Sequence, residues 1–194
     1  MRFGENYLRK AKLFCLGNEL CSRLLIEDQN QAREQGMKIA FLTQYYPPEI
    51  GAPQNRLSQL AARFAHSGHD VSVLTAMPNY PEGKTHPGYK GVLRRERLDG
   101  VSVIRTYIYP TQSAGYVRRL TNYFSFVVSS ALGGMALLTR ADYLFVESPP
   151  LFLGLTGFLL SRVKRMRLIF NVSDLWPESA VRLGFSGRRV LRTV

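Results

Sequence analysis

Cysteine is nearly absent from this 194-residue chain, with only Cys15 and Cys21 present, both close to the N-terminus. Two thiols in that position make neither a disulfide framework nor a metal-ligand pattern, so the sequence reads as one from a reducing compartment. Histidine is also scarce: His66, His69 and His86 show no ligand spacing. The three-glycine fingerprint of dinucleotide-binding loops is missing, which counts against a nicotinamide enzyme, and no nucleophile motif is present. The expectation is therefore of no cofactor and no metal. The 16 glycines follow no period and charged residues make up 21%, which excludes collagen-like, coiled-coil and low-complexity classes.

Acid is the charge in short supply, 14 Asp plus Glu against 26 Lys plus Arg. The first 36 residues hold six of the bases and five of the acids, so +11 of the net +12 belongs to residues 37–194. Such a surface suits polyanions: nucleic acid, anionic lipid headgroups or a diphosphate-bearing substrate. Charge alone does not choose among them. The basic residues are scattered and accompany no helix-turn-helix, zinc or RNA-binding motif, so no nucleic-acid partner is expected. Hydrophobic residues make up 45% of the chain, enough for one domain of ordinary size with a sizeable core.

Residues 1–36 read as an appendage. Tyr7, Leu8, Leu13, Leu16, Leu20, Leu24 and Leu25 recur at loosely helical spacing, but the polar stretch from Asp28 to Gly36 has no apolar face. No uncharged apolar run of secretory type follows Arg2. The segment is either an amphipathic arm or an upstream extension of the reading frame, with Met37 the natural start.

From Met37 the pattern is regular. Lys38 to Thr43 is a strand, Tyr45 to Pro53 a proline-bearing loop, Gln54 to His66 a helix closed by Gly68, and Asp70 to Thr75 a second strand. Met77 to Gly91 is a long loop and a candidate binding element. Val92 to Leu98 and Val101 to Ile108 form a hairpin about Asp99-Gly100, a dipeptide that tolerates positive φ. A helix follows over about Tyr116 to Thr139, then a strand from Asp142, a helix over Leu151 to Val163 and a strand over Leu168 to Val172. This alternation gives an α/β fold, a Rossmann-like open and mostly parallel sheet flanked by helices.

Leu120 to Thr139 carries no charge and is bounded by Arg118, Arg119 and Arg140. Its length alone permits a membrane span. Phe124, Val127, Val128, Ala131, Leu132 and Met135 form one stripe, with Asn122, Ser125, Ser129 and Gly133 elsewhere. Because a strand must resume at Asp142, a buried core helix is expected, with a helix lying on a bilayer as the alternative.

Open α/β sheets bind ligands beyond the carboxyl ends of their strands. After the first strand, Gly51 permits close backbone approach, Ala52 opens a helix and Pro53 fits its first turn, so free amides there favour an anion or simply begin a helix. After the third parallel strand, Glu147 could bond a sugar hydroxyl or take a proton, or be a polar strand end. Past Val172, Asp174 could act as an acid or cap a helix, and Trp176, the single tryptophan, could flank the cleft or seal the core. Asn79 and Tyr80 in the long loop are weaker candidates for ligand contact.

The stretches YYPPEIGAPQNRLSQLA, TAMPNYPEGK, ADYLFVESPP and DLWPESAV, in that order and each at an expected strand end, resemble the N-terminal domain of glycosyltransferase family 4, in its WbuB/WcaI-like subgroup. The resemblance covers residues 37 to about 184. It implies the acceptor-side half of a GT-B fold, two Rossmann-like domains facing across a cleft, with retention of anomeric configuration. It also implies a nucleotide-sugar donor, a polyprenyl-diphosphate-linked saccharide acceptor in surface polysaccharide synthesis, and a peripheral place on an anionic membrane at its cytoplasmic face. Gly51 matches the family's glycine-bearing loop and Asp174 its acidic position, with Ser173 where a histidine is usual; Glu147 also stands where relatives carry histidine. The second, donor-binding domain would follow Val194, so the expectation is that these 194 residues do not transfer sugar alone. A non-catalytic membrane-associated scaffold is the alternative.

Overall fold

The computed structural model describes residues 36–111 and 115–172. By contacts the chain divides into two compact units, Met1–Gly36 and Met37–Val194, and the description below concerns the second. Most of the first unit, together with Asp174 and Trp176, lies outside the described residues.

The elements run β1 (Lys38–Leu42), α1 (Ala52–His66), β2 (Asp70–Ala76), β3 (Leu93–Leu98), β4 (Val101–Thr106), α2 (Tyr116–Leu137), β5 (Tyr143–Ser148), α3 (Leu153–Val163) and β6 (Arg167–Val172). They build one six-stranded sheet in the order β3-β4-β2-β1-β5-β6, parallel except for β3. The Rossmann-like α/β class read from the sequence is the fold. The hairpin turns at Asp99 (φ 48) and Gly100 (φ 81), both in the left-handed region that a tight two-residue turn demands. Gly68, at φ 85, ends α1, letting the His69 N–H return to the Phe64 carbonyl at 3.1 Å.

Alternation along the strands divides the core into two layers. Ile39, Phe41, Val71, Val73, Val101 and Val103 pack under α1 with Leu57 and Ala61. Ala40, Leu42, Leu74, Ile104, Leu144 and Val146 pack on the other face with Phe126 of α2 and Leu153 and Leu160 of α3. Helices α2 and α3 lie side by side there. The Thr156 hydroxyl donates to the Val127 carbonyl at 2.9 Å, and Lys164 Nζ donates to the Met135 carbonyl at 3.0 Å.

Helix α2 corrects the expectation of its buried face. Val127 and Ala131 are half-buried, but Phe124, Val128, Leu132 and Met135 are exposed, while small and polar residues turn inward. Asn122 is buried, Ser129 donates to the Thr106 hydroxyl at 3.2 Å, and Gly133 stands so close to Thr106 that a Cβ would collide with its methyl group. A crowded sheet needs short side chains beneath a long helix, and that need selects the face.

Candidate functional site

The strand order reverses between β1 and β5, which are adjacent and parallel with Leu42 opposite Val146. Their carboxyl ends deliver the first loop and Glu147 to one rim, where an open α/β sheet binds its ligands. Gly51 stands immediately before α1, with Pro53 in its first turn, no side chain capping the helix and no acid in that turn. Its φ of 175 is ordinary extended backbone. What demands glycine is space, because a Cβ would run into the Gln54 side chain, which is folded over it and buried. No side chain caps the start of α1, and Ala52 is exposed there.

Arg56, further along the same helix, reaches across to Glu147. Its guanidinium pairs with Glu147 Oε1, while Asn171 of β6 donates to Oε2 at 2.7 Å. The Glu147 side chain is 3% exposed and that of Arg56 55%, so the carboxylate is interior and the cation faces outward. Glu147 therefore anchors Arg56 from the interior side.

Two buried charges fix the loops. The Glu49 carboxylate accepts the backbone N–H groups of Asn79 and Tyr80, each at 2.8 Å, and of Tyr46 at 3.3 Å, which ties the long loop to the first one. Burial raises its pKa, the three amides and Arg105 opposing the shift. Arg105 is fully buried: Nε donates to Glu96 Oε1 at 2.5 Å, one terminal nitrogen to the Ala76 carbonyl at 3.3 Å and the other to the Pro47 carbonyl. Its guanidinium also lies 5.1 Å from the Tyr89 ring centre.

Beside this scaffold opens a polar cleft of about 470 Å³, lined by Tyr45, Asn79, Tyr80, Pro81, Gly83, Thr111, Arg119, Asn122 and Tyr123. Tyr45 and Tyr80 meet edge to face at 5.8 Å. Asn122 Nδ2 donates to the Tyr109 carbonyl at 2.6 Å and its Oδ1 accepts from Gln44 at 3.0 Å, fixing α2 to the first loop. Burial, reinforced by Tyr123 and Glu49, holds the Tyr45 hydroxyl well above its ordinary pKa, and burial pushes Tyr46 up to about 12. Tyrosine faces and carboxamides are what a sugar ring meets in a binding site, and Arg119 adds a cation at the margin.

The structure thus brings Gly51, Ala52 and Glu147 to one rim through Arg56, and sets Asn79 and Tyr80 in the cleft, whose lining does not include Gly51 or Glu147. Sequence reading alone does not single out Glu49, Arg56, Arg105 or Asn122. Arg105 carries a signal all the same, since alternation places it on the buried side with Val101 and Val103. Among the described residues no group of side chains could hold a metal ion.

Comparison with known proteins gives this rim its context. A family model described as a glycosyl transferase 4-like domain matches residues 51–194. The chain is 26% identical over 153 residues to the Escherichia coli (strain K12) protein named "Putative colanic acid biosynthesis glycosyl transferase WcaI", an alignment covering 78% of this chain and 38% of that protein. The chain therefore spans well under half the length of the curated relative it matches. With the matched region running through the helix that Gly51 opens and through the strands that carry Glu147 and Asn171, the chain belongs to the glycosyl transferase 4-like domain family.

Proposed function

We propose that this domain is the acceptor-side half of a glycosyltransferase that moves a sugar from a nucleotide-sugar, held mainly by a facing domain, to a polyprenyl-diphosphate-linked saccharide. The setting is the cytoplasmic face of an anionic membrane, and the product a surface polysaccharide of the kind the Escherichia coli relative's name describes. The observation that carries the reading is the meeting of the α1 N-terminus and the Arg56–Glu147 pair at the strand-order reversal.

Sugar transfer from a nucleotide donor develops negative charge on the departing diphosphate. Amides and cations already oriented toward that position lower the barrier without reorganising during the reaction, and in many enzymes no other effect accelerates the chemistry as much. The first amides of α1 offer the dipole end of a helix, and Arg56, braced from behind by Glu147, offers a fixed charge. Asn79, Tyr80 and the neighbouring tyrosines receive the acceptor sugar, with Arg119 toward its diphosphate.

Titrating a short-chain prenyl-diphosphate-linked monosaccharide into the purified chain tests it. Saturable binding that Tyr80→Ala weakens about tenfold is expected, the loss corresponding to about 1.4 kcal/mol of contact. Binding that ignores Tyr80→Ala, or that the prenyl diphosphate without its sugar reproduces in full, would remove the acceptor role of this cleft.

A further inference from the structure

Helix α2 buries Phe126 but otherwise turns mainly small and polar residues inward. Its serines, Asn122 and two glycines face the sheet and β4, whereas Val128 (57% exposed), Leu132 (61%) and Met135 (39%) point away from it. Helix α3 repeats the arrangement, with Leu155 (63%) and Phe158 (54%) outward and Leu153 and Leu160 inward. The outward stripes are contiguous, joined where the Phe124 and Phe152 rings stand 4.8 Å apart. An apolar ridge of two helices is larger than the scattered exposed side chains any surface carries.

The surroundings of the ridge choose its occupant. Arg118 and Arg119 lie in the first turn of α2, Arg162 and Lys164 at the end of α3, with Arg165 and Arg167 just beyond, and neither helix holds an acidic residue. The Arg162 guanidinium sits 5.2 Å from the centre of the Phe158 ring, so cation and apolar stripe are interleaved. The occupant must meet an apolar ridge and the cations flanking it together. A leaflet with anionic headgroups over acyl chains matches both at the depth each requires.

We propose that the outer face of α2 and α3 inserts side-on into the headgroup–acyl boundary of an anionic leaflet, without spanning it. This deepens the membrane setting of the proposed function and rests on it. Helix α2 is long and apolar enough to cross a membrane, but its inner face is bonded to the sheet, which leaves only its outer face for lipid.

Flotation of the purified chain with phosphatidylcholine vesicles, with and without phosphatidylglycerol, tests the proposal through two variants. Leu155→Ser/Phe158→Ser alters only exposed side chains and is expected to weaken binding to the mixed vesicles roughly a hundredfold. Phe158→Trp is expected to be quenched by lipids brominated high on the acyl chain, beyond the background of Trp176. Mixed-vesicle binding that the serine pair leaves intact, that high salt abolishes and that gives no quenching is charge-only docking; it overturns insertion and leaves the membrane setting standing. No binding to either vesicle overturns both, while acceptor titration still judges the cleft. A dimer in sedimentation that the serine pair dissociates would reassign the ridge to self-association and overturn the proposal.

Discussion

Arg56 of α1 and Glu147 of β5 form an ion pair that spans the strand-order reversal, with the carboxylate buried and the guanidinium at the surface. Removing the cation takes one partner from a buried carboxylate to which Asn171 also donates. Because Arg56 is half in water, Arg56→Ala should cost about 1–2 kcal/mol rather than the full penalty of a buried pair. The double variant Arg56→Ala/Glu147→Gln should recover most of that loss in urea unfolding. Strictly additive losses would mean that the two side chains are not coupled.

The Glu49 carboxyl, whose pKa burial raises above the ordinary 4.5, keeps its proton to a higher pH in the folded chain than in the unfolded one. Its contribution is fully present below the ordinary value and lost as pH rises through the raised one, so across that window acidification stabilises through this group. Glu49→Gln retains an oxygen for the Asn79 and Tyr80 amides and has no proton to give up. Its stability advantage over the unaltered chain should be largest at neutral pH, shrink as pH falls through the raised value toward 4.5, and change no further below it. A pH-independent difference would contradict the assignment, and Glu49→Ala, which strands those amides, should cost about 1–3 kcal/mol per amide.

Arg105 carries a full charge into a site with no exposed surface, paired to Glu96 and bonded to the Ala76 and Pro47 carbonyls. Arg105→Met should destabilise the domain by about 2–4 kcal/mol, because both carbonyls lose their Arg105 donor and Glu96 keeps only Arg94 among the ion pairs described. Arg105→Lys should recover only part, a single ammonium being unable to reach the three acceptors at once. A thermal melt of the lysine variant equal to that of the unaltered chain would refute the forked geometry.

Gly157 of α3 and Gly134 of α2 let their helices pack closely. A Cβ on Gly157 would overlap Val146 of β5, and one on Gly134 would come within 2.7 Å of Leu160 and 2.8 Å of Leu74. Alanine is better than glycine by about 1 kcal/mol in an open helix. Here overpacking of about 1–3 kcal/mol opposes that gain, so both Gly→Ala changes should be net destabilising. Either change raising the melting temperature would show that the helices have room to withdraw.

The alternation of strands and helices, the hairpin at Asp99-Gly100 and the loops reaching one rim were legible because each rests on local chemistry: period, positive φ, helix entry. The inward face of α2 was not. Periodicity groups Phe124, Val128, Leu132 and Met135 on one side, but which side meets the sheet depends on the room above Thr106 and Leu74, a property of distant residues. Glu147 was legible as a strand-end carboxylate, whereas its partnership with Arg56 joins residues 91 positions apart and needs the β1–β5 pairing first. Asp174 and Trp176, read from the sequence as site residues, lie outside the described part of the chain.

Strand β3 runs antiparallel to β4 and closes one margin of the sheet with Arg94, Arg95 and Arg97 exposed along it. A second molecule offering the same margin would bring arginine rows face to face, and a neutral strand would have to strip water from three cations to zip alongside. That border is thereby closed to fibril-like growth, and copies crowded at high concentration are kept from stitching together through it.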